Sequence, residues 1–290
     1  MDNKIKLIID TDIGSDIDDA LCLAYLLKQP RCEILGITTC SFEPEKRAEI
    51  ADATVRSFGK NIPVYPGREN PIYGPQLQVS VHQYDVVSNF EHRRDFKKNS
   101  AIEFMRNAIV ENPGEVVILA IGPLTNVGAL FCAYPELVDL VKEVSILGGC
   151  YFEEWKSKMP VEFNIKNDAL AAGIVFSTGA KIRVGGLDVS MATKTDCDAF
   201  IASDCEDSRK LLIPYIKKFR ERTNDMYYHD AIAAVWLFEN DICSFIRGNV
   251  TVDFANEWGR TDFESDENGN VLVAEKIDVD AFFRHYESIV

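Results

Sequence analysis

The sequence predicts an α/β fold with an open, mostly parallel sheet flanked by helices, an architecture of the Rossmann-like kind. Short segments rich in β-branched residues alternate along the chain with apolar segments of helical length. The clearest strand, residues 116–121, is apolar throughout, as a strand buried on both faces is. The chain has 290 residues, 47% of them hydrophobic, so it can bury a sizeable core. We expect a single domain over residues 1–290.

The individual elements follow from the same alternation. Strands are expected, in order, at residues 5–9, 33–39, 116–121, 144–147 and 182–184. Helices are expected at residues 19–27, 44–58, 124–134, 169–176 and 231–238, and one more begins near Ser100. Ser100 and Glu103 have the spacing of a capping box, which indicates that helix start. The polar stretch 73–99 shows no clear element and could be a lid or an additional surface helix.

The charge balance excludes several classes of partner. The chain has 31 Lys and Arg against 46 Asp and Glu, a formal charge of −15 at pH 7. Such an acidic chain does not favour nucleic acid or an anionic membrane as a partner. No apolar run is long enough to span a bilayer, and no secretory signal is evident. The eight cysteines are scattered without a Cys-x-x-Cys pair, which indicates reduced thiols and a cytoplasmic location.

The most informative segment is a cluster of acids between the first predicted strand and the first predicted helix. Five carboxylates fall within ten residues, namely Asp10, Asp12, Asp16, Asp18 and Asp19. Capping of a helix N-terminus explains one or two of them. It cannot explain five, because like charges held together cost free energy or force protonation. A hard cation resolves the conflict. Calcium takes six to eight oxygen ligands, whereas magnesium would suit fewer carboxylates and more water.

Three later segments offer partners for this cluster. Ile121 precedes Gly and Pro, which leave its carbonyl free to face a cation, although an ordinary strand-to-helix turn is the alternative. Glu162 and Asn164 flank a phenylalanine and could bind the hydroxyls of a sugar. His229 and Asp230 begin an apolar helix, where Asp230 could be a simple cap. His229 could titrate near neutral pH and act as an acid.

Taken together and in this order, the segments resemble the nucleoside hydrolase family, the inosine-uridine preferring N-ribohydrolases. The resemblance rests on residues 10–20, 121–126, 147–149, 162–164, 186–189 and 229–230. It implies one calcium ion at the bottom of a ribose pocket. By analogy, Asp12 is a metal ligand and also the general base that activates a metal-bound water. Asp19, Asp230 and the carbonyl oxygen of Ile121 are the further ligands.

The resemblance also implies how the substrate is held. Asp18 is expected to bind a ribose hydroxyl, and Glu162 and Asn164 to hold the sugar. His229 is similar to the histidine that contacts or protonates the leaving base in part of the family. The expected substrate is a small-molecule nucleoside or a related ribosyl compound, and the expected assembly is a homodimer or homotetramer.

The sequence departs from the family pattern on the side of the base and of the 5′-hydroxyl. The first motif is longer than the common form, so the register between Asp16 and Asp18 stays open. Residues 150–161 contain no asparagine for the 5′-hydroxyl, and the glycine-rich loop expected near His82 is missing. These differences predict an altered sugar or base preference.

Three functions are compatible with these observations. The leading one is calcium-dependent hydrolysis of the N-glycosidic bond. The second is a metal-binding family member that binds a ribosyl ligand without turnover, which the missing asparagine favours. The third is a phosphohydrolase that uses Asp10 and Asp12 as nucleophile and acid, like the haloacid dehalogenase group. That chemistry leaves Asp18, Asp19 and Asp230 without a role.

Overall fold

A mixed sheet of nine strands forms the centre of the computed structural model, which describes residues 4–203 and 210–290. The strand order is β10-β9-β11-β6-β5-β4-β1-β2-β3, and β7 pairs with β8 in a separate ribbon. The strands are β1 Ile5–Thr11, β2 Cys32–Thr39, β3 Val64–Pro66, β4 Val116–Ala120, β5 Glu143–Leu147, β6 Ile182–Gly185, β7 Lys194–Asp196, β8 Asp225–Tyr227, β9 Cys243–Asp253, β10 Arg260–Ser265 and β11 Val271–Ile277. Strands β1 to β6 and β11 pair in parallel, while β9 runs antiparallel to both β10 and β11.

Helices connect and cover these strands. The described α-helices are α1 Asp18–Lys28, α2 Pro44–Ser57, α3 Ala101–Glu111, α4 Thr125–Ala133, α5 Glu153–Lys156, α6 Phe163–Asn167, α7 Ala169–Ser177, α8 Leu187–Ser190, α9 Cys197–Ala202, α10 Ile213–Arg220, α11 His229–Val235 and α12 Val279–Ile289. The predicted fold class is confirmed. The predicted capping box at Ser100 is wrong, because the Ser100 hydroxyl donates to the carbonyl of Lys97 instead of capping α3.

The centre of the sheet, formed by β1, β4 and β5, is buried on both faces, which explains the apolar strands of the sequence. Successive side chains of a strand point to opposite faces. Leu7 and Ile9 accordingly pack in one core with α1, α2, α11 and α12. Ile8 packs in a second core with α3, α4 and α7. In the part of the chain that the structure describes, no helix is long and apolar enough to cross a membrane.

The strand order places a topological switch point at β1. From β1 the chain winds outward through β2 and β3, then returns to the other side of β1 with β4. The connections at the carboxyl ends of β1 and β4 therefore diverge and leave a crevice, where α/β proteins bind ligands. Asp10 pairs with Ala120 in register, and the amide of Ile121 donates to the carbonyl of Asp10 at 2.9 Å. The acidic segment and Ile121 thus end at the same edge of the sheet.

The stretch 73–99 lies over the loop that joins β1 to α1. It contains a 3-10 helix, His82–Asn89, which packs against α2 and α10. The amide of Gln83 donates to the carbonyl of Gly14 at 2.9 Å. Gly14 has a φ of +112°, and a Cβ there would lie 2.5 Å from the Ile50 side chain. A glycine is therefore required where this stretch closes over the loop.

Candidate functional site

A cavity of about 360 Å³ opens at the carboxyl ends of β1, β4 and β5. Acidic and amide side chains line one part of it and apolar side chains another. The eight site residues predicted from the sequence all line this cavity: Asp12, Asp18, Asp19, Ile121, Glu162, Asn164, His229 and Asp230. Their common location is the switch point of the sheet. The structure thus brings together residues that are spread over most of the chain.

Three carboxylates form the most concentrated charge of the cavity. Asp18 and Asp19 lie in the first turn of α1, and Asp230 lies in the first turn of α11. All three are buried, and each offers an oxygen within 4.8 Å of the other two. The Thr11 hydroxyl donates to Asp19 and fixes its orientation. Burial, followed by the repulsion from neighbouring carboxylates, raises the pKa of all three groups well above 3.8.

The donor set of this cluster fits a metal ion. Ile121 also lines the cavity, and its carbonyl oxygen accepts a hydrogen bond from the side-chain amide of Asn164 at 2.9 Å. Arg47 is the buried cation that acts on Asp12 and Asp19. One guanidinium does not balance the charge of so many buried carboxylates, and oxygen ligands of this kind are those that hard cations prefer. The cluster could therefore hold a metal ion.

Asp12 lies beside this cluster, outside the group whose oxygens are all within 4.8 Å of one another. Its Oδ2 accepts a hydrogen bond from the side-chain amide of Gln78. Burial raises the pKa of Asp12, and Arg47 opposes that rise. Gly122 packs directly against it. A Cβ at residue 122 would lie 2.8 Å from the Asp12 nitrogen and 2.9 Å from its Oδ1. The glycine of the 121–126 segment thus makes room for the Asp12 carboxylate.

Glu162 and Asn164 stand at the start of α6, across the cavity. Both oxygens of Glu162 accept backbone N–H groups, from Asn164 at 2.7 Å and from Ile165 and Gly149 at 3.0 Å. The amide nitrogen of Asn164 donates to the carbonyls of Ile121 at 2.9 Å and Leu147 at 3.2 Å. Asn164 therefore presents its remaining Oδ1 as an acceptor, and Glu162 is held rigidly.

His229 begins α11, and its ring stacks on Tyr227 with centroids 4.9 Å apart. Its Nδ1 is buried, and no other described residue hydrogen-bonds to it. Burial lowers the pKa of His229 to about 4. The expectation that this side chain titrates near neutral pH is therefore wrong. The imidazole is neutral at pH 7, and one ring nitrogen carries a hydrogen that it can donate.

The structure contradicts two alternatives drawn from the sequence. One made Asp230 a simple helix cap, and the other made the protein a phosphohydrolase with Asp10 as its nucleophile. Helix α11 begins at His229, and the Asp230 carboxylate lies with those of Asp18 and Asp19 instead of capping the helix. Asp10 does not line the cavity. Its Oδ1 accepts from Thr38 at 2.6 Å and from Asn126 at 2.8 Å, and burial raises its pKa to about 7. A carboxylate enclosed in this way cannot act as the nucleophile.

The structure adds polar residues that the sequence did not indicate. Gln78 and Arg222 line the cavity, and Asp16 lies beside Asp18 without joining the cluster of three. Arg47 is buried beneath them on the face of α2 that also carries Ala51 and Val55. A charged residue on an apolar helical face is a signal that could have identified Arg47. Gln78 has no such signal, because it lies in an irregular stretch.

The apolar part of the cavity was also missed. Its side chains are Leu147, Met159, Phe163, Leu187 and Met191. Met159 and Phe163 are about half exposed, so they lie at the mouth. One of these residues, Met159, comes from residues 150–161, the segment in which the resemblance implied an asparagine. This part of the cavity therefore offers an apolar side chain where the resemblance implied a polar one.

Comparison with known proteins identifies the family. The model of the inosine-uridine preferring nucleoside hydrolases matches residues 7–284. The chain belongs to this family. Among curated nucleoside hydrolases, uridine nucleosidase 1 of Arabidopsis thaliana is 31% identical over 265 residues, which cover 86% of this chain and 78% of the relative. The non-specific ribonucleoside hydrolase RihC of Klebsiella pneumoniae is 29% identical over 99% of this chain and 98% of its own.

Solved nucleoside hydrolases share the fold. A purine-preferring ribonucleoside hydrolase from Gardnerella vaginalis superposes with a TM-score of 0.83 at 24% identity, over 98% of this chain and 97% of its own. The plant nucleoside hydrolase PpNRh1 gives a TM-score of 0.81 at 24% identity, over 98% of both chains. The predicted family and fold are confirmed, as is the prediction of an enzyme that hydrolyses N-glycosyl bonds.

The raised pKa values predict how pH affects the metal-free protein. A carboxyl whose pKa is higher in the folded state than in the unfolded chain binds more protons when folded. Its contribution to stability is therefore lost as pH rises from about 4 upward. With a chelator present, we expect a lower Tm at pH 8 than at pH 5.5. A divalent cation should raise Tm more at pH 8, because fewer protons then compete with it for the three carboxylates.

Calorimetry with chelator, Mg²⁺ or Ca²⁺ at both pH values measures this effect. Asp230→Asn is the matched control, because it removes one of the three charges with little change of shape. We expect it to weaken both the pH dependence and the shift caused by the cation. Equal behaviour of the variant and the parent protein would contradict a cation site at this cluster.

Proposed function

We propose that the protein is a calcium-dependent ribonucleoside hydrolase, which cleaves the N-glycosidic bond to give a free base and ribose. The observation that carries the proposal is the cluster of Asp18, Asp19 and Asp230 at the sugar-sized cavity of a nucleoside hydrolase family member. Residues 1–290 would act as one domain, and assembly into a homodimer or homotetramer stays a prediction.

The choice of calcium follows from the donors. Asp12, Asp19, Asp230 and the carbonyl of Ile121 would hold the ion, and Asp18, whose oxygen lies within 4.8 Å of those of Asp19 and Asp230, would lie next to it. Calcium accepts many oxygen ligands in irregular geometry, whereas magnesium keeps more water. When bound, the ion would offset part of the carboxylate charge and make nearby water more acidic. The carboxylate of Asp18 has oxygens for both the ion and a ribose hydroxyl.

Asp12 would act as the general base. Its carboxylate lines the cavity, and burial raises its pKa toward the range that suits proton transfer. It would take the proton of the water that attacks the anomeric carbon, while the bond from that carbon to the base breaks. Positive charge develops on the sugar ring in such reactions. The surrounding carboxylates are complementary to that charge.

The sugar and the base would occupy different parts of the cavity. Asn164 would accept a ribose hydroxyl at Oδ1, and Glu162 would hold a second hydroxyl. Met159 and Phe163 would contact the flat base at the mouth. His229 would donate a hydrogen bond to the leaving base from a neutral imidazole. The relatives include a uridine nucleosidase and a non-specific ribonucleoside hydrolase, so several bases are reasonable substrates.

Release of base and free ribose across purine, pyrimidine and nicotinamide ribosides tests the proposal. We expect turnover of at least one ribonucleoside, loss of activity on chelation, and the best recovery with calcium. Asp12→Asn should lower kcat by about 1,000-fold or more, because the base is lost while side-chain volume is kept. Its Tm should stay close to that of the parent protein.

Parent-like rates for Asp12→Asn would contradict the base assignment. Calcium binding without turnover of any riboside would instead favour a family member that only binds a ribosyl ligand. The absence of an asparagine from residues 150–161, which place Met159 at the cavity, is the observation that keeps this second function open.

Substitution of His229 tests its contact with the leaving base. His229→Ala should slow ordinary nucleosides by about 100-fold, because their bases leave poorly without a hydrogen-bond donor. It should slow p-nitrophenyl riboside far less, since that leaving group needs no proton. Tyr227→Phe, which keeps the stacked ring, is the control and should affect both substrates little. Equal losses on both substrates in His229→Ala would remove this role.

A further inference from the structure

Gln78 lies outside every segment on which the family resemblance rests, yet its side chain reaches into the site. It is only 5% exposed, and its Nε2 donates to Oδ2 of Asp12. We propose that Gln78 is a positioning residue, which holds the Asp12 carboxylate in the orientation needed to take a proton from water. The proposal rests on the proposed function of Asp12 as the base.

The orientation of the Gln78 amide follows from its partners. Its Oε1 accepts from the Ser15 hydroxyl at 2.6 Å and from a guanidinium nitrogen of Arg47. A guanidinium can only donate, so the atom that it meets must be the amide oxygen. The NH₂ group is thereby turned toward Asp12, which as a carboxylate can only accept. The backbone amide of Gln78 is itself held by Oε1 of Gln76 at 2.9 Å.

Arg47 connects this amide to the loop that carries the site. Its side chain is fully buried. It donates to the carbonyls of Phe42 at 2.8 Å and Ile13 at 3.1 Å, to the Ser15 hydroxyl at 3.0 Å, and to the carbonyl of Asp12. A guanidinium has five N–H groups on three nitrogens, so it can donate in several directions, whereas the three N–H groups of an ammonium share one nitrogen. Arg47 thus fixes the backbone of Asp12 and the amide that holds its carboxylate.

The two oxygens of Asp12 then have different surroundings. Oδ2 is bonded to Gln78, and Oδ1 lies against the Cα of Gly122, where a Cβ would come within 2.9 Å. Repulsion from Asp18, Asp19 and Asp230 would otherwise push the carboxylate away from the cluster. A neutral donor counters this repulsion without adding a positive charge that would compete with a bound cation.

Gln78→Met tests the proposal, because it keeps the length of the side chain and removes the amide. A hydrogen bond to a charged group has a strength that corresponds to a loss of about 10- to 100-fold in kcat. We expect that loss with KM and the calcium dissociation constant, measured by calorimetry, within about threefold of the parent. Gln78→Glu keeps the acceptor toward Arg47 but sets an oxygen against Asp12, so its kcat should fall at least as far.

Gln83→Met is the matched control. Gln83 is a buried glutamine of the same stretch, and its amide donates to the carbonyl of Asp16, not to Asp12. It should lose stability as Gln78→Met does, with kcat within about threefold of the parent. A parent-like kcat in Gln78→Met would overturn the proposal. So would a loss that Gln83→Met shares, or a loss carried by KM or calcium affinity alone.

A measurement without substrate separates this proposal from the proposed function. The side-chain amide signals of Gln78, identified in ¹⁵N NMR spectra by their absence in Gln78→Met, should shift in Asp12→Asn and stay in place in Asp16→Asn. If the Gln78 amide signals do not shift in Asp12→Asn, the positioning role is overturned even when the enzyme is active. Shifted signals in a protein that turns over no riboside overturn the proposed function instead, and with it the catalytic purpose of the contact.

Discussion

Mutual repulsion among the buried carboxylates of Asp18, Asp19 and Asp230 is the constraint on which the site depends. Three such groups within 4.8 Å of one another destabilise a folded chain unless they are protonated or share a cation. The raised pKa values express the same conflict in the metal-free protein. Two hydrophobic cores, one on each face of the sheet, stabilise the fold that carries this cluster. The three carboxylates therefore lower the stability of the metal-free protein at the place where a cation would bind.

The fold places the repelling carboxylates at one edge of the sheet. The switch point beside β1 brings the ends of β1 and β4 together, and α1 and α11 both begin there. Glycine is needed at two places, at Gly14 for the backbone of the first loop and at Gly122 for the room beside Asp12. Arg47 then ties that loop to the stretch above it. Distant parts of the sequence thus meet at one buried, hydrogen-bonded site.

The sequence correctly predicted the features that depend on residues close together in the chain. Alternating elements indicated the sheet, and acids crowded at one turn indicated the cluster that Asp230 completes. The predicted capping box at Ser100 was wrong because the Ser100 hydroxyl donates to the carbonyl of Lys97 instead of accepting a backbone N–H of the helix. The titration of His229 near pH 7 was wrong because burial is a property of the fold. Gln78 was missed for the same reason, since its importance comes from contacts with residues far away in the sequence.

Anomalous diffraction from crystals grown with calcium tests the central claim most directly. The account predicts one peak about 2.3–2.6 Å from carboxylate oxygens of Asp18, Asp19 and Asp230 and from the carbonyl oxygen of Ile121. Ordered density for these residues without such a peak, and with Asp230 turned away from Asp19, would contradict it.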